Sequence, residues 1–147
     1  MSKGIVIRPE ACIGCKSCEL VCAFNRTGCF SAQSSAVHVY SFSDEAVVFP
    51  LMCMQCEEPE CAGICPTGAL SREENVILYD NHKCIRCGKC TVACPLGNIH
   101  SDVDTGRMVK CDLCAGKVNC VDICPVGAID YMEINENVEK CPIGSGR

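Results

Sequence analysis

The sequence predicts a small α+β protein whose interior is not filled by ordinary apolar side chains. Of its 147 residues, 18 are cysteine, aromatic residues make up 5%, and tryptophan is absent. A core assembled from the remaining Val, Ile and Leu would be thin for this length, which is ordinarily one compact domain. In addition, a cysteine motif recurs four times, with short strand-like segments between the copies. Something that cysteine binds is therefore expected to occupy the middle.

Charge and hydropathy exclude several classes of protein. The formal charge of −5 and the lack of a basic run argue against binding to nucleic acid. The first residues, MSKGIVIRPEA, contain neither the apolar core of a secretory signal nor a twin arginine. No segment approaches the roughly 18–20 apolar residues that span a bilayer. The sequence therefore indicates a cytoplasmic protein without its own anchor, in which clustered cysteines bind metal rather than form disulfides.

The cysteines form four groups of four, each of which opens with C-x2-C and closes with C-x3-C. Only the middle gap differs: two residues in the first and third groups, four in the second and five in the fourth. The groups are Cys12, Cys15, Cys18 and Cys22; Cys53, Cys56, Cys61 and Cys65; Cys84, Cys87, Cys90 and Cys94; and Cys111, Cys114, Cys120 and Cys124. The last three groups continue as CPTGAL, CPLGNI and CPVGAI, whereas alanine follows the first.

This spacing is typical of proteins that bind [4Fe–4S] clusters. A C-x2-C-x2-C loop can surround one cluster with three thiolates, and in two-cluster proteins the fourth cysteine binds the neighbouring cluster. The proline turns the chain away from the site, and the glycine two residues later suits a turn with unusual φ. Structural zinc needs no C-x3-C-P element, and disulfides explain none of the repeat. Thioredoxin-like chemistry needs one C-x-x-C motif rather than four.

Sixteen grouped cysteines, at four per cluster, predict four [4Fe–4S] clusters. The longer middle gaps still permit a cluster, because a longer loop can bulge away from it. The clusters would take the place of the missing core, so the chain without them is expected to be largely unfolded. At about −2 for each oxidised cluster, the holo-protein would carry a charge of about −13.

Short strands and helices are predicted around the groups. KGIVIRP precedes the first group, AVHVYSF and AVVFPLM lie between the first and second, and GAIDYMEI follows the fourth. GALSREENVILYD and NIHSDVDTGRMVKC each predict two strands, with turns at EEN and DTG. A short helix is expected after the third cysteine of each group, as in KSCELVCAF, and residues 136–147 are interpreted as a C-terminal tail.

The chain resembles the four-cluster iron–sulfur subunits of molybdenum and tungsten oxidoreductases, known as the DMSO reductase iron–sulfur subunit family. The resemblance extends from about residue 5 to 131 and rests on CIGCKSCELVC, CMQCEEPECAGICPTGAL, CIRCGKCTVACPLG and KCDLC…NCVDICPVGAI. It implies two ferredoxin-like bicluster units in one compact body with a cluster-dominated core. The outer unit would comprise about residues 1–35 and 100–135, and the inserted unit about residues 45–100. The proline missing after Cys22 would mark the exit from the outer unit, although a tolerated substitution explains it equally well.

Spacing alone leaves the pairing of the groups open, and the resemblance implies a specific pairing. The first group would pair with the fourth, and the second with the third, so that each fourth cysteine binds the partner group's cluster. The implied ligand sets are Cys12, Cys15, Cys18 and Cys124; Cys111, Cys114, Cys120 and Cys22; Cys53, Cys56, Cys61 and Cys94; and Cys84, Cys87, Cys90 and Cys65. All sixteen are expected to bind iron.

The resemblance implies an electron-transfer subunit rather than an enzyme. No nucleophile–base pair, phosphate loop or dinucleotide motif occurs, so no catalytic residue is expected. Electrons would pass between a catalytic molybdenum or tungsten subunit and a second redox protein or flavin subunit. CELVCAFNRTGCFSAQSSAVHV and CAGKVNC are most similar to the small subunits of tungsten aldehyde oxidoreductases, and related subunits serve the tungsten-containing benzoyl-CoA reductase. The alternatives are a free polyferredoxin carrier and a subunit that stacks on itself as a conductive filament.

Several residues outside the ligand sets have open roles. Cys29 and Cys141 are expected to be free thiols, and the three histidines to be surface or packing residues. Basic side chains beside the ligands are either solvated surface residues or groups that raise a cluster's potential by stabilising its reduced form; they are Lys16, Lys83, Arg86, Lys89 and Lys110, of which Lys110 is the strongest candidate.

Overall fold

The computed structural model describes residues 2–134, so the predicted tail and Cys141 lie outside the described residues. Within this range the chain forms eight short strands and four α-helices. The strands are β1 (Ser2–Ile7), β2 (Val37–Phe42), β3 (Val47–Met52), β4 (Leu70–Glu73), β5 (Val76–Tyr79), β6 (His100–Ser101), β7 (Met108–Val109) and β8 (Ile129–Ile134). The helices are α1 (Ser17–Thr27), α2 (Glu60–Gly63), α3 (Lys89–Ala93) and α4 (Asn119–Ile123). The α+β class and each predicted strand segment are confirmed.

The strands pair into four separate antiparallel ribbons rather than one sheet. β2 pairs with β3, β4 with β5, and β6 with β7, each with the strand that follows it in the sequence. β1 pairs instead with β8, with Ser2 opposite Ile134 and Ile7 opposite Ile129. This last ribbon joins the beginning of the described chain to its end, and therefore brings the first cysteine group to the fourth.

Each helix begins one residue before the third cysteine of a group and includes that cysteine, rather than following it as expected. The second, third and fourth groups have helices of only four or five residues. Proline follows the fourth cysteine there, and it disfavours the helical conformation of the residue before it. Cys94 and Cys124 are accordingly extended, with ψ of 114° and 113°. The proline therefore ends the helix at the ligand.

The first group lacks this stop, and α1 continues to Thr27 as the longest helix of the described chain. It ends at Gly28, whose φ of +75° is left-handed and whose N–H donates to the Phe24 carbonyl (2.7 Å). Glycine adopts this conformation without the penalty of a side chain. The missing proline thus has a physical consequence, which is a longer helix.

Two apolar clusters form the interior, and cysteines belong to both. The larger contains Ile5, Ile129 and Met52 together with cysteines of the first, second and fourth groups. The smaller contains Leu70 and Ile77 together with cysteines of the second and third groups. α1 contacts α4 and α2 contacts α3, so the helices follow the same division. Among residues 2–134, no helix has the length and apolar character needed to cross a bilayer.

Candidate iron–sulfur cluster sites

Two cavities lie between cysteines that are distant in the sequence. Cys12, Cys15 and Cys18 of the first group line a small cavity together with Cys124 of the fourth. This set, the outer end site, is one of the four ligand sets implied by the sequence. The other residues that line this cavity are mainly apolar and include Val39 and Pro50, so the cysteine thiols lie in an apolar environment.

The second cavity repeats this arrangement with the other two groups. This small cavity is lined by Cys84, Cys87 and Cys90 of the third group and Cys65 of the second, together with Leu70, Tyr79 and Met108. This set is the inner end site. In both cavities, three cysteines come from one loop and the fourth from the partner group, as predicted for proteins that hold two clusters.

The other two sets that the resemblance implies are here called the outer middle site (Cys22, Cys111, Cys114 and Cys120) and the inner middle site (Cys53, Cys56, Cys61 and Cys94). Burial raises the pKa of Cys120, and the nearby charges of Cys111, Cys22 and Cys114 raise it further. Burial also raises the pKa of Cys61, which has Cys53 and Cys94 as electrostatic neighbours. Cys56 is exposed, and it is assigned to the inner middle site only because it lies in the same C-x2-C segment as Cys53.

Contacts between cysteines relate the sites to one another. Cys18 of the outer end site lies close enough to Cys120 to affect its pKa. Cys53 of the inner middle site likewise affects Cys111 of the outer middle site. α1 carries Cys18 and Cys22, one from each outer site, and α4 carries Cys120 and ends directly before Cys124. α3 carries Cys90 of the inner end site and ends directly before Cys94 of the inner middle site. Neighbouring sets are therefore linked either by electrostatic effects between their thiols or by a shared helix.

The loops share one backbone feature that the sequence did not reveal. The residue before the second cysteine of every group has a left-handed φ, at +71° for Gly14, +50° for Gln55, +57° for Arg86 and +57° for Leu113. Three of the four are not glycine, and residues held in this region are strained and concentrate at functional sites. The conformation curls each C-x2-C segment, and in the third group it lets the Arg86 N–H donate to Cys84 Sγ (N···S 3.4 Å).

Backbone amides also support the fourth cysteine of each group. In the third and fourth groups the N–H four residues on donates to the thiol sulfur, from Asn98 to Cys94 (3.4 Å) and from Ala128 to Cys124 (3.3 Å). Gly97, with φ of +65°, makes the turn between Cys94 and Asn98, so the C-P-x-G motif is an amide cradle for a thiolate. Burial raises the pKa of Cys65, but amides including those of Leu70 and Thr67 outweigh it and lower that pKa to about 7.

Cys22, which has no such turn, receives its amide from a distant residue. The Ala36 N–H donates to Cys22 Sγ over 3.3 Å, and 14 residues separate the two in the sequence. Ala36 lies directly before β2, at the end of the segment that follows α1. The segment between α1 and β2 therefore supplies Cys22 with the amide hydrogen bond that the P-x-G turn supplies to the fourth cysteine of the other groups.

The buried thiols are chemically suited to binding metal rather than to staying ionised alone. Burial raises the pKa of Cys18 to about 12 and that of Cys111 to about 12. A metal ligand must be deprotonated, so only a bound cation can keep these sulfurs as thiolates at neutral pH. Among residues 2–134, no three His, Cys, Asp or Glu side chains converge closely enough to hold a single metal ion. The cysteines surround cavities instead, which is the arrangement that a multi-iron cluster needs.

Sequence motifs and relatives identify this arrangement. A model of the 4Fe-4S dicluster domain matches residues 45–143, and a model of a 4Fe-4S binding domain matches residues 9–25. The chain belongs to the 4Fe-4S dicluster domain family. It therefore binds [4Fe–4S] clusters, and its cysteine cavities fit them because each offers thiols and amides in an apolar surrounding.

Two relatives of this chain are subunits of oxidoreductases. The chain is 35% identical to the polyferredoxin-like subunit of aliphatic sulfonate oxidoreductase from Pyrococcus furiosus, over 88% of this chain and 76% of that one. It is 38% identical to the beta subunit of NADH-dependent phenylglyoxylate dehydrogenase from Aromatoleum evansii, over 87% of this chain but only 30% of that subunit. The chain is accordingly an electron-transfer iron–sulfur subunit of the kind found in oxidoreductase complexes, and not a catalytic component.

A solved structure has the same fold. A chain of the active site complex BamBC of benzoyl coenzyme A reductase, in complex with zinc, matches with a TM-score of 0.54 and 27% identity. The match covers 92% of this chain and 82% of that one. The short antiparallel ribbons and helices described above are therefore those of a ferredoxin-like iron–sulfur subunit.

Two features of the site were missed by sequence reasoning. Gln55 is buried, and its side chain links the Cys111 carbonyl (2.9 Å) to the Ile77 N–H (2.8 Å). The rings of His38 and His100 lie 5.0 Å apart, although 62 residues separate them in the sequence. Lys110, the strongest candidate among the basic residues in the sequence, is buried rather than solvated. Only the polar residue inside C-M-Q-C offered a signal, since long-range contacts leave no local pattern.

Proposed function

We propose that this chain carries electrons through four [4Fe–4S] clusters arranged in a row, from the outer end site through the two middle sites to the inner end site. The observation that supports it best is that each end cavity is lined by three cysteines of one group and one of the partner group. The sixteen cysteines of the four implied sets are the proposed ligands. When bound, each cluster accepts and releases one electron.

The proposed row is continuous because the helices connect neighbouring sites. Cys18 and Cys22 lie on α1, and Cys120 on α4, so the two outer sites share a helical wall. The electrostatic contact between Cys111 and Cys53 then connects the outer middle site to the inner middle site. This supports the two bicluster units proposed from the sequence, with about residues 1–35 and 100–135 in one and 45–100 in the other.

Both ends of the row face solvent, which suits exchange of electrons with other proteins. Ile13 and Ile85 occupy the same position in the C-x2-C segments of the first and third groups, and they are 63% and 62% exposed. Each lines an end cavity. A redox partner that covers either isoleucine would approach a cluster closely without changing the fold.

The proposed partner is a catalytic tungsten or molybdenum subunit of the aldehyde oxidoreductase type, in the cytoplasm, with a second redox protein or flavin subunit at the other end. The resemblance of CELVCAFNRTGCFSAQSSAVHV to such small subunits supports this, as does the structural likeness to the BamBC complex. The named relatives are subunits of several different oxidoreductases, so the substrate follows from the partner and not from this chain.

The test is anaerobic isolation of the chain from its native cells, with iron, tungsten and molybdenum measured on whatever accompanies it. We expect about sixteen irons per chain, at four per cluster, and one tungsten or molybdenum in a stoichiometric partner. Sixteen irons without a partner would indicate a free carrier, and long assemblies of the chain would indicate a filament. Zinc in place of iron would contradict the proposal.

A further inference from the structure

Lys110 is a buried cation at the junction between the two middle sites. It is 3% exposed, and its Nζ donates to Cys53 Sγ (3.3 Å), to the Ile77 carbonyl (2.9 Å) and to the Cys111 carbonyl (2.9 Å). An ammonium group has three donors, and all three are used. The side chain is therefore held in one position, between the second cysteine group and the fourth.

Within residues 2–134, no carboxylate forms an ion pair with this ammonium group. The ion pairs among residues 2–134 are Arg8–Asp130 and Lys83–Asp80, and neither involves Lys110. Removing an unpaired ammonium from water is strongly unfavourable, so buried charges are normally paired or bound to a metal site. The groups of opposite charge that face Lys110 are cysteine sulfurs: Cys53 by direct hydrogen bond, and Cys61 and Cys111 as electrostatic neighbours.

The position of Lys110 places it against both middle sites. Cys53 and Cys61 belong to the inner middle site, and Cys111 belongs to the outer middle site. The Cys111 carbonyl that accepts from Nζ also accepts from the Gln55 side chain, and Gln55 in turn binds the Ile77 N–H. Lys110 and Gln55 thus form one hydrogen-bonded unit that joins the two cysteine loops to β5.

We infer that Lys110 sets the reduction potentials of the two middle clusters together, which deepens the proposed function. A reduced cluster is more negative than an oxidised one, so a fixed ammonium favours the reduced form. Burial acts in the opposite direction, because low dielectric disfavours added negative charge. Without the cation, the two buried middle clusters would have more negative reduction potentials than the two exposed end clusters. Electron transfer from an end cluster to a middle cluster would then be energetically unfavourable.

The basic residues beside the other ligands do not share this position. Lys16, Lys83, Arg86 and Lys89 are all exposed, and water and salt screen exposed charges. Lys89 provides a matched control, because like Lys110 it directly precedes a cluster cysteine but lies at the inner end site. Both lysines directly precede a cluster cysteine, but Lys110 is buried and Lys89 is exposed.

The test is a redox titration of the whole anaerobic chain, followed by electron paramagnetic resonance. In Lys110→Met we expect two of the four potentials to become more negative by at least a tenfold change in the reduction equilibrium, which is about 59 mV for one electron. Lys110→Arg, which retains the charge, should restore most of the shift, and Lys89→Met should move no potential by that amount. Four unchanged potentials, or four equal shifts, would overturn the inference.

A second measurement needs no substitution. In wild-type protein made with lysine labelled at the side-chain nitrogen with ¹⁵N, a reduced middle cluster should show hyperfine coupling to that nitrogen, because Nζ lies 3.3 Å from a ligand sulfur. Absence of any coupling in the reduced chain would overturn the inference even if Lys110→Met fails to fold. The wild-type iron content, measured first, tests the cluster row separately, and about sixteen irons supports it.

Discussion

The end sites and the middle sites solve the same binding problem in different surroundings. Of the eight cysteines at the end sites only Cys18 is buried, whereas five at the middle sites are, namely Cys22, Cys53, Cys61, Cys111 and Cys120. The end cavities have exposed isoleucines at their rims, and the middle sites have Lys110 between them. Charge added at an end is screened by water, while charge added in the middle must be balanced by the protein itself.

The protein stabilises the cysteine sulfurs in different ways at exposed and at buried sites. Where solvent is near, backbone amides of the P-x-G turn are sufficient, as the lowered pKa of Cys65 indicates. Where solvent is excluded, the chain adds a distant amide from Ala36 and a buried ammonium. The first group, which lacks the P-x-G turn, therefore depends on an amide far from its motif, and the second group receives the ammonium of Lys110 from another segment.

The largest expected effect comes from removing a buried ligand. Cys120→Ser should lose more than the roughly four irons of one cluster, because Cys120 lies in the apolar core and near Cys18 of the neighbouring site. Cys15→Ser, at an exposed ligand of the outer end site, should lose about four irons and leave the other three clusters in place. Iron and labile sulfide per chain distinguish the two outcomes.

Cys29→Ser is the control for both variants, since Cys29 is exposed and lies outside the four groups. It should keep the full iron content. Equal losses in Cys120→Ser and Cys15→Ser would show that burial does not separate the middle sites from the end sites.

A smaller effect is expected from the turn that cradles Cys124. Gly127 has φ of +63°, where a side chain costs about 1–2 kcal/mol, although nothing lies within 4 Å of the position that a Cβ would take. Gly127→Ala should therefore lower the stability of the loaded protein by about 1 kcal/mol through backbone strain alone. Anaerobic denaturation, followed by cluster absorbance, measures the change.

Gly63→Ala is the matched control, because Gly63 lies in α2, has no positive φ and also has free space for a Cβ. Alanine is the better helix former, by up to about 1 kcal/mol, so this variant should be neutral or more stable. Destabilisation by both substitutions would indicate that tight packing, rather than the left-handed turn, explains the need for glycine.

A still smaller effect is expected from removing the Ala36 N–H hydrogen bond to Cys22 Sγ. Ala36→Pro removes the N–H that donates to Cys22 Sγ, and hydrogen bonds to the sulfurs are one determinant of cluster potential. One cluster potential, that of the outer middle site, should become more negative, while Ala36→Gly, which keeps the N–H, should leave it unchanged. If both variants shift the potential alike, packing around Ala36 and not the hydrogen bond is responsible.

The smallest effect concerns two neighbouring histidines, His38 on β2 and His100 on β6. Burial lowers the pKa of His38, and the charge of the nearby His100 lowers it further, while Glu19 acts in the opposite direction. His38 therefore binds a proton more readily in the unfolded chain than in the folded one. Its contribution to the free energy of unfolding is complete above about pH 6.5, and it is lost as the pH falls through the lowered pKa of the folded state. His38→Gln should flatten that part of the stability profile, and an unchanged slope would exclude His38 as its source.

Local patterns were enough to predict the ribbons and the cysteine groups. The turn at Glu74 and Asn75 connects β4 to β5, and the P-x-G motif produces the extended Cys94 that ends α3. Both depend on neighbouring residues, whose conformational preferences are visible in the sequence. Each helix begins two residues earlier than expected, one residue before the third cysteine rather than one after it, which is within the usual uncertainty of helix ends.

Long-range features could not be predicted in the same way. The spacing allowed any neighbouring groups to pair, and only resemblance favoured the joining of Cys124 to the first group. The left-handed conformation of Arg86 has no sequence signal, because arginine rarely adopts it. The burial of Lys110 likewise depends on Ile77 and Cys53, which come from separate segments of the fold.

Diffraction from anaerobically grown crystals, with iron located by its anomalous scattering, tests the central claim most directly. The account predicts four groups of four irons in a row, bound in turn by the outer end, outer middle, inner middle and inner end sites. Lys110 would lie between the second and third clusters of that row. Four clusters each bound by the four cysteines of a single group, or fewer than four clusters, would contradict it.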